Sequence, residues 1–256
     1  MRIVRYRDGD VARLGILDGD LVRAAGGELF GQLLPREHIG PLASLDLLPP
    51  VAPSKIVAVG LNYADHVAES TSPRALPDAP IIFLKPPSSL LGSGGTIVLP
   101  PGADPVHEEG ELAVVIGRQA HRVKRADAYD HILGFTCAND VSARNFQQQD
   151  GQWVRAKGFD TFCPLGPCIA TDLRADALAI TARVNGEVRQ HSNTKHLIFD
   201  VPFLIEFVSH IMTLLPGDVI ITGTPAGVSP LVGGDLVEIE IDGIGVLANR
   251  VRTASE

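Results

Sequence analysis

The strongest constraint on the fold is a series of short apolar runs separated by Gly, Pro, Asn and Asp. Runs of this length, rich in Val and Ile and bounded by turn residues, are typical of β-strands. Few segments have helical spacing, and no repeat interrupts the series. The chain is therefore predicted to be α+β and β-rich, with strands packed as a sandwich or roll rather than as regular βαβ units. The predicted strands cover residues 56–59, 81–84, 112–116, 133–138, 180–184, 219–221 and 236–241.

Two segments are predicted to be helical. The first is short and covers residues 62–70. The second covers residues 201–215, where Asp200 is a candidate N-cap and Pro202 lies in the first turn. Its apolar positions recur with helical spacing at Leu204, Phe207, Val208, Ile211 and Leu215.

The first 50 residues are predicted to form a small β-rich unit of their own. Apolar stretches at 11–17 and 21–24 flank Asp18-Gly19, which is a good hairpin turn, and Asn185-Gly186 marks a second hairpin later in the chain. The Pro-rich segment 48–53 cannot form a helix and is typical of a linker. The predicted domains are therefore residues 1–50 and 51–256.

Charge and composition exclude several classes of protein. The formal net charge of −8 disfavours nucleic-acid binding, although a local cluster of cations can still attract an anionic substrate. No apolar run approaches the ~20 residues that cross a bilayer, and the N-terminus lacks the apolar core of a signal peptide. We therefore expect a cytoplasmic protein without a membrane partner, whose three cysteines are free thiols.

An acidic motif at the start of one predicted strand is the main candidate for function. Glu109 and Glu111 directly precede the apolar run 112–116, and side chains at i and i+2 of a strand share one face. Asp140 ends another apolar stretch. Three converging carboxylates repel one another unless a cation lies between them, and oxygen donors alone select Mg²⁺, Mn²⁺ or Ca²⁺. From these residues alone, carboxylates that are simply solvated at a strand end also explain the pattern.

A second pair of residues carries acid–base potential. His66 and Glu69 are three positions apart, so they are neighbours on one helical turn. A glutamate beside an imidazole orients it and raises its basicity, which prepares it to take a proton from water. An ordinary surface helix also has such pairs.

Several stretches, in order along the chain, resemble those of the fumarylacetoacetate hydrolase superfamily. The resemblance extends from about residue 55 to the C-terminus, whereas residues 1–50 resemble a variable N-terminal extension. It implies a mixed β-sandwich roll, a Mg²⁺ or Mn²⁺ site (with Ca²⁺ as an ion that crystals also admit), a homodimer, and a small 2-keto or 2-enol acid as substrate. The matching stretches are GLNYADHVAE (60–69), FLKPPSSLLGSG (83–94), EGELAVVIG (109–117), GFTCANDVSARNFQ (134–147), QWVRAKGFDTFCPLGP (152–167) and PGDVIITGTPAGV (216–228).

The resemblance also implies roles for individual residues. The metal ligands would be Glu109, Glu111 and Asp140, and the catalytic residues would be His66, Glu69 and Lys157. The substrate contacts would be Arg144, Gln147 and Thr224. Spacing alone leaves open that Arg144 forms a structural salt bridge with Asp140. The Pro-containing segment 71–79, just after Glu69, is predicted to be a lid over the substrate.

These roles favour a divalent-metal-dependent hydrolase. It would cleave a C–C bond in a 2,4-diketo acid of the acylpyruvate or fumarylpyruvate type and release pyruvate through a metal-stabilised enolate. Alternatives with the same site are a 2-hydroxyhepta-2,4-diene-1,7-dioate isomerase or 5-oxopent-3-ene-1,2,5-tricarboxylate decarboxylase of aromatic catabolism, and an oxaloacetate decarboxylase. A non-catalytic protein that binds a keto acid is a further alternative.

Overall fold

A computed structural model of the chain describes residues 1–69 and 76–254. Its helices are α1 (Ala64–Glu69), α2 (Arg144–Asp150), α3 (Val154–Lys157) and α4 (Val201–Ile211). None of the described helices combines the length and the apolar character that a membrane span requires. The strands are β1 (Arg2–Asp8), β2 (Val11–Asp18), β3 (Leu21–Gly27), β4 (Leu33–Pro41), β5 (Leu47–Leu48), β6 (Ile56–Gly60), β7 (Ile81–Lys85), β8 (Leu90–Leu91), β9 (Thr96–Leu99), β10 (Val106–His107), β11 (Gly110–Ile116), β12 (Ile132–Asn139), β13 (Ser142–Ala143), β14 (Cys163–Ala170), β15 (Ala179–Val184), β16 (Glu187–Asn193), β17 (Val219–Ile221), β18 (Leu236–Ile241) and β19 (Gly245–Thr253).

Most strands belong to two sheets that pack on each other. The large sheet has 12 strands, with the main order β4-β3-β2-β1-β14-β12-β11-β17-β6-β7 and with β5 and β8 added beside β1 and β14. The small sheet has five strands in the order β16-β15-β18-β19-β9, and its strands β18 and β19 lie across β12 and β14. The predicted β-rich α+β sandwich roll is thus confirmed.

Strand β11 lies at the centre of the molecule and is buried along its whole length. Leu112 and Val114 pack in the apolar core between the two sheets. Ala113 and Val115 point to the other face of the large sheet and pack in a second apolar core. Because side chains alternate along a strand, Glu111 shares the face of Ala113 and projects from the side of the large sheet that carries the second apolar core.

Both predicted hairpins are present. Val184 pairs with Glu187 across the two-residue loop Asn185-Gly186, whose φ values of 53° and 80° suit a tight turn between strands. The first hairpin is displaced by one residue from the prediction. Asp18 already pairs with Leu21, so the loop is Gly19-Asp20 rather than Asp18-Gly19.

The first strands of the chain continue the large sheet. β1 pairs with β14 through Arg2 and Ala170, and β5 pairs with β1. The sheet therefore runs from residues 1–50 into the rest of the chain without a break. The division of the chain at residue 50 stays a prediction.

Helix α4 begins where the sequence indicates and ends earlier. The carboxylate of Asp200 accepts a hydrogen bond from the Phe203 N–H at 2.9 Å, which confirms the predicted N-cap. The helix ends at Ile211 rather than at residue 215. Leu214 instead exchanges two backbone hydrogen bonds of 2.9 Å with Ala120, so the predicted last turn is wrong.

The side chain of Asp218 joins the two segments that lead into β6 and β17. Its side chain is fully buried and accepts hydrogen bonds from the Lys55 ammonium at 2.5 Å and from the Ser54 and Leu215 N–H groups at 3.0 and 2.7 Å. Burial alone raises the pKa of this carboxyl. The hydrogen bonds from Leu215, Lys55 and Ser54 outweigh burial, so the pKa of Asp218 is lowered.

We predict that Asp218→Asn lowers the free energy of unfolding at pH 7 by about 1.5–3 kcal/mol, the usual contribution of a hydrogen bond to a charged group. A lowered carboxyl pKa contributes stability that is present above the unfolded-state pKa and is lost as the pH falls through the folded-state pKa. Urea denaturation at pH 7 and pH 3 should therefore show a difference between wild type and variant that shrinks at pH 3. An equal difference at both values would contradict the role of the charged carboxylate.

Candidate active site

Two neighbouring strand ends bring the three predicted metal ligands together. β11 begins between Glu109 and Glu111, and Asp140 directly follows the last residue of β12. Gly110 pairs with Asn139 across these strands, and the Asp140 N–H donates to the Glu109 carbonyl oxygen at 2.9 Å. The antiparallel register therefore places the end of β12 beside the start of β11.

The three carboxylates form a compact buried cluster. Glu109, Glu111 and Asp140 each offer an oxygen, and these oxygens all lie within 4.8 Å of one another. The three residues are at most 4% exposed. A donor set made only of carboxylate oxygens suits a hard divalent cation such as Mg²⁺, Mn²⁺ or Ca²⁺.

Three cationic side chains surround this cluster. The Lys157 ammonium lies between Glu109 and Asp140, with N–O distances of 2.8 and 2.5 Å. Lys85 contacts the other oxygen of Asp140 at 2.6 Å, and Arg144 contacts Glu109 at 2.5 Å. Arg144 thus pairs with Glu109 rather than with Asp140. The cations match the carboxylates one for one, so the cluster without a metal is close to neutral.

This neutralisation is uneven, and Glu111 is the least compensated carboxylate. Burial, with the charges of Asp140 and Glu109, raises the pKa of Glu111 well above its ordinary value. Burial also acts on Glu109, but Arg144 and Lys157 lower the pKa of that group. In the described part of the chain, no lysine or arginine lies within ion-pair distance of Glu111. Its polar partner is the Gly223 N–H, at 2.7 Å. A bound cation would supply the missing charge, so the residues present fit a metal site.

His66 and Glu69 lie on α1 at the edge of the cluster. The His66 Nδ1 is 3.6 Å from the Glu69 carboxylate, which is longer than a hydrogen bond. Both carboxylate oxygens of Glu69 accept from the Gly227 N–H, at 3.0 and 3.2 Å. Catalytic hydrogen bonds are often long before substrate binds, so this geometry permits the predicted pair. Residues 71–75 of the predicted lid lie outside the described residues.

The three predicted substrate contacts differ in their surroundings. Arg144 donates a hydrogen bond of 2.9 Å to the side-chain oxygen of Gln147, and both residues are half-buried beside the cluster. The Thr224 hydroxyl donates to the carbonyl oxygen of Gly110 at 2.9 Å and accepts from Gln190 at 2.7 Å. The Thr224 hydroxyl therefore braces the start of β11, where Glu109 and Glu111 lie.

Sequence reasoning missed Lys85. This lysine ends β7 and is 1% exposed, and burying an ammonium requires a charged partner, which here is Asp140. Its signal was the position of a lysine directly after the apolar run 81–84, although β7 itself is partly exposed and only the lysine at its end is buried.

We predict that Glu111→Gln weakens Mn²⁺ binding by more than the roughly 10–100-fold that loss of an outer-shell partner costs. The amide has nearly the volume of the carboxylate but no charge to offset the cation. Isothermal titration of metal-free protein measures the affinity, with the exposed Glu28→Gln as the matched control. Equal Mn²⁺ affinities in the two variants would contradict the assignment of Glu111 as a ligand.

Comparison with known proteins agrees with this geometry. Residues 55–252 match the family model of the fumarylacetoacetate (FAA) hydrolase C-terminal domain, and residues 1–50 match one described as Rv2993c-like, N-terminal. The crystal structure of 2-hydroxyhepta-2,4-diene-1,7-dioate isomerase from Mycobacterium marinum is 45% identical, with a TM-score of 0.92 over 100% of both chains.

Two further relatives carry other activities. Maleylpyruvate hydrolase from Sphingobium sp. SYK-6, solved in complex with manganese(II) ion and pyruvate, is 34% identical, with a TM-score of 0.82 over 100% of both chains. The mitochondrial oxaloacetate tautomerase FAHD2A of Bos taurus is 47% identical over 86% of this chain and 71% of its own length.

The β-rich roll carries a buried Glu-Glu-Asp cluster that could hold a metal ion. The matches identify the chain as a member of the fumarylacetoacetate hydrolase superfamily, whose members include hydrolases and isomerases. The resemblance inferred from the sequence motifs is thereby confirmed.

Proposed function

We propose that this chain is a divalent-metal-dependent enzyme that transfers a proton between the keto and enol forms of a short 2-oxo dicarboxylic acid. The observation that carries this proposal is the buried carboxylate cluster with Lys157 held between Glu109 and Asp140. It is supported by 45–47% identity to an isomerase and a tautomerase, against 34% to a hydrolase.

The cluster would hold Mg²⁺ or Mn²⁺ through Glu109, Glu111 and Asp140. When bound, such an ion supplies Lewis-acid polarisation of a 2-oxo acid. Because Lys85, Arg144 and Lys157 already match the three carboxylates, a divalent ion leaves an excess of positive charge. That excess favours a dianion over a monoanion. The substrate class that follows from this charge balance is a dicarboxylate.

The side chains around the cluster would bind the substrate and stabilise the negative charge that develops on it. Arg144 presents a planar guanidinium that suits a carboxylate, and it is held beside the cluster by Glu109 at Nη2 and by Gln147 at Nη1. Lys157 has three N–H donors, of which two are engaged by Glu109 and Asp140. The third N–H is available to donate to the 2-oxygen of the substrate as that atom gains negative charge.

Proton transfer at carbon requires a base, and His66 is the proposed base. The C3–H bond of the keto form breaks, the proton passes to the imidazole, and the electron pair moves to the 2-oxygen. The imidazolium then returns the proton to that oxygen, which gives the enol and restores the neutral base. Glu69 stabilises the imidazolium. Burial lowers the pKa of Lys157, but Asp140 and Glu109 more than offset burial and raise it, so the lysine stays a cationic donor.

C–C hydrolysis is the second candidate function, and the His66–Glu69 pair favours it. The same base could take a proton from water, and the resulting hydroxide would attack the distal acyl carbonyl of a 2,4-diketo acid. The products would be pyruvate and a carboxylic acid. The relative that was solved with manganese(II) and pyruvate supports this alternative. Decarboxylation would use the same residues but no attacking water molecule.

A substrate panel separates these reactions. With Mg²⁺ present, we predict that the protein accelerates the enol-to-keto conversion of oxaloacetate, measured by the loss of enol absorbance, and that EDTA abolishes the effect. Mass spectrometry of oxaloacetate, acetylpyruvate, fumarylpyruvate and a hydroxy-dienedioate then reports the products. Conserved mass supports proton transfer, whereas gain of water with cleavage, or loss of CO₂, would contradict it in favour of hydrolysis or decarboxylation.

We also predict that Lys157→Met lowers kcat by roughly 10²–10³-fold, the usual cost of losing one donor that stabilises developing negative charge. Metal binding should persist, because the three carboxylates remain. The exposed Lys124→Met is the matched control and should keep wild-type kcat. A Lys157→Met enzyme with kcat within threefold of wild type would show that the lysine only balances charge.

A further inference from the structure

Gln190 is a fully buried residue on β16 of the small sheet, and the hydrogen bonds of its side-chain amide all go to segments of the candidate active site. Its Oε1 accepts from the Gly110 N–H at 2.8 Å. Its Nε2 donates to the Thr224 hydroxyl and to the Pro225 carbonyl oxygen, both at 2.7 Å. One side chain therefore makes three hydrogen bonds to two separate segments, and it is 0% exposed.

The first of these segments is the metal-ligand strand. Gly110 lies between Glu109 and Glu111, and its N–H and carbonyl are held by Gln190 and by Thr224. A Cβ at Gly110 would lie only 3.1 Å from the Gln190 Oε1, so glycine here permits the close approach of the amide. The peptide that spaces the two glutamates is thus fixed from the opposite sheet.

The second segment is the loop that follows β17. The Gly223 N–H donates to Glu111, and the Gly227 N–H donates to Glu69. Gln190 binds this loop at Thr224 and Pro225, between those two donors. A Cβ at Gly227 would overlap the carbonyl oxygen of Arg189, the residue before Gln190, so the loop packs directly on the backbone of β16.

We propose that Gln190 is a positioning residue that couples the metal-ligand strand to the loop that holds Glu69. This positioning role rests on the proposed function, since it assumes that the carboxylate cluster binds a cation. Gln190 sets the spacing of Glu109 and Glu111 through Gly110. The same amide fixes the position of the loop after β17 through Thr224 and Pro225. This loop in turn orients Glu69 through the N–H of Gly227.

The test measures Mn²⁺ affinity on metal-free protein by the EPR signal of free Mn²⁺. Gln190→Met keeps the side-chain volume and removes all three hydrogen bonds, and it should weaken Mn²⁺ binding about 10–100-fold. The exposed Gln119→Met is the matched control and should bind within about twofold of wild type. Equal affinities in wild type and Gln190→Met would overturn the positioning role alone. A wild-type protein that binds no Mn²⁺ would instead overturn the proposed function.

A second pair of variants covers the case in which Gln190→Met does not fold. Thr224→Val removes the hydroxyl that links Gln190 to Gly110, whereas Thr224→Ser retains it. We expect weaker Mn²⁺ binding in the valine variant and wild-type binding in the serine variant. Equal Mn²⁺ affinities in these two variants would overturn the proposal.

Kinetics test the coupling to Glu69. If Gln190 acts on Glu69 through the loop, then Glu69→Gln should lower kcat less in the Gln190→Met background than in wild type, because the two changes disturb one unit. Equal fold losses of kcat in both backgrounds would overturn the link to Glu69. A residue that merely stabilises the fold would change the unfolding midpoint without changing this ratio.

Discussion

Three carboxylates of like charge are buried together at the end of a central strand, and most of the surrounding structure compensates for their repulsion. Isolated charges are costly to remove from water, so each must meet a cation or a hydrogen-bond donor. Lys157, Lys85 and Arg144 meet Glu109 and Asp140. Backbone N–H groups and a bound cation would complete the compensation.

The same requirement explains how distant parts of the chain contribute to one site. β7 carries Lys85 at its end, α3 carries Lys157 at its end, and the loop after β17 presents backbone N–H groups. The small sheet braces this arrangement from behind through Gln190. The sandwich is therefore both the apolar core of the protein and the frame that holds a polar cluster in a fixed geometry.

Local features of the site were predictable, and features that depend on register were not. The spacing of Glu109 and Glu111 predicts a shared face, and Asp140 and the His66–Glu69 pair are candidates from their local sequence context. The family resemblance implies the role of Lys157. The pairing of β11 with β12, which brings Asp140 to the glutamates, is a long-range contact without a local signal.

The same distinction holds for the fold. The alternation of short apolar runs with turn residues predicted a β-rich sandwich, and the Asp200 cap predicted the start of α4. The end of α4 was misplaced because the backbone of Leu214 pairs with Ala120, far away in the chain.

The most direct test of the proposed metal site is anomalous X-ray diffraction from a crystal of this protein grown with Mn²⁺. We predict one anomalous peak bounded by Glu109, Glu111 and Asp140. A peak elsewhere, or no peak with the three carboxylates well ordered, would contradict the assignment of these residues as a metal site.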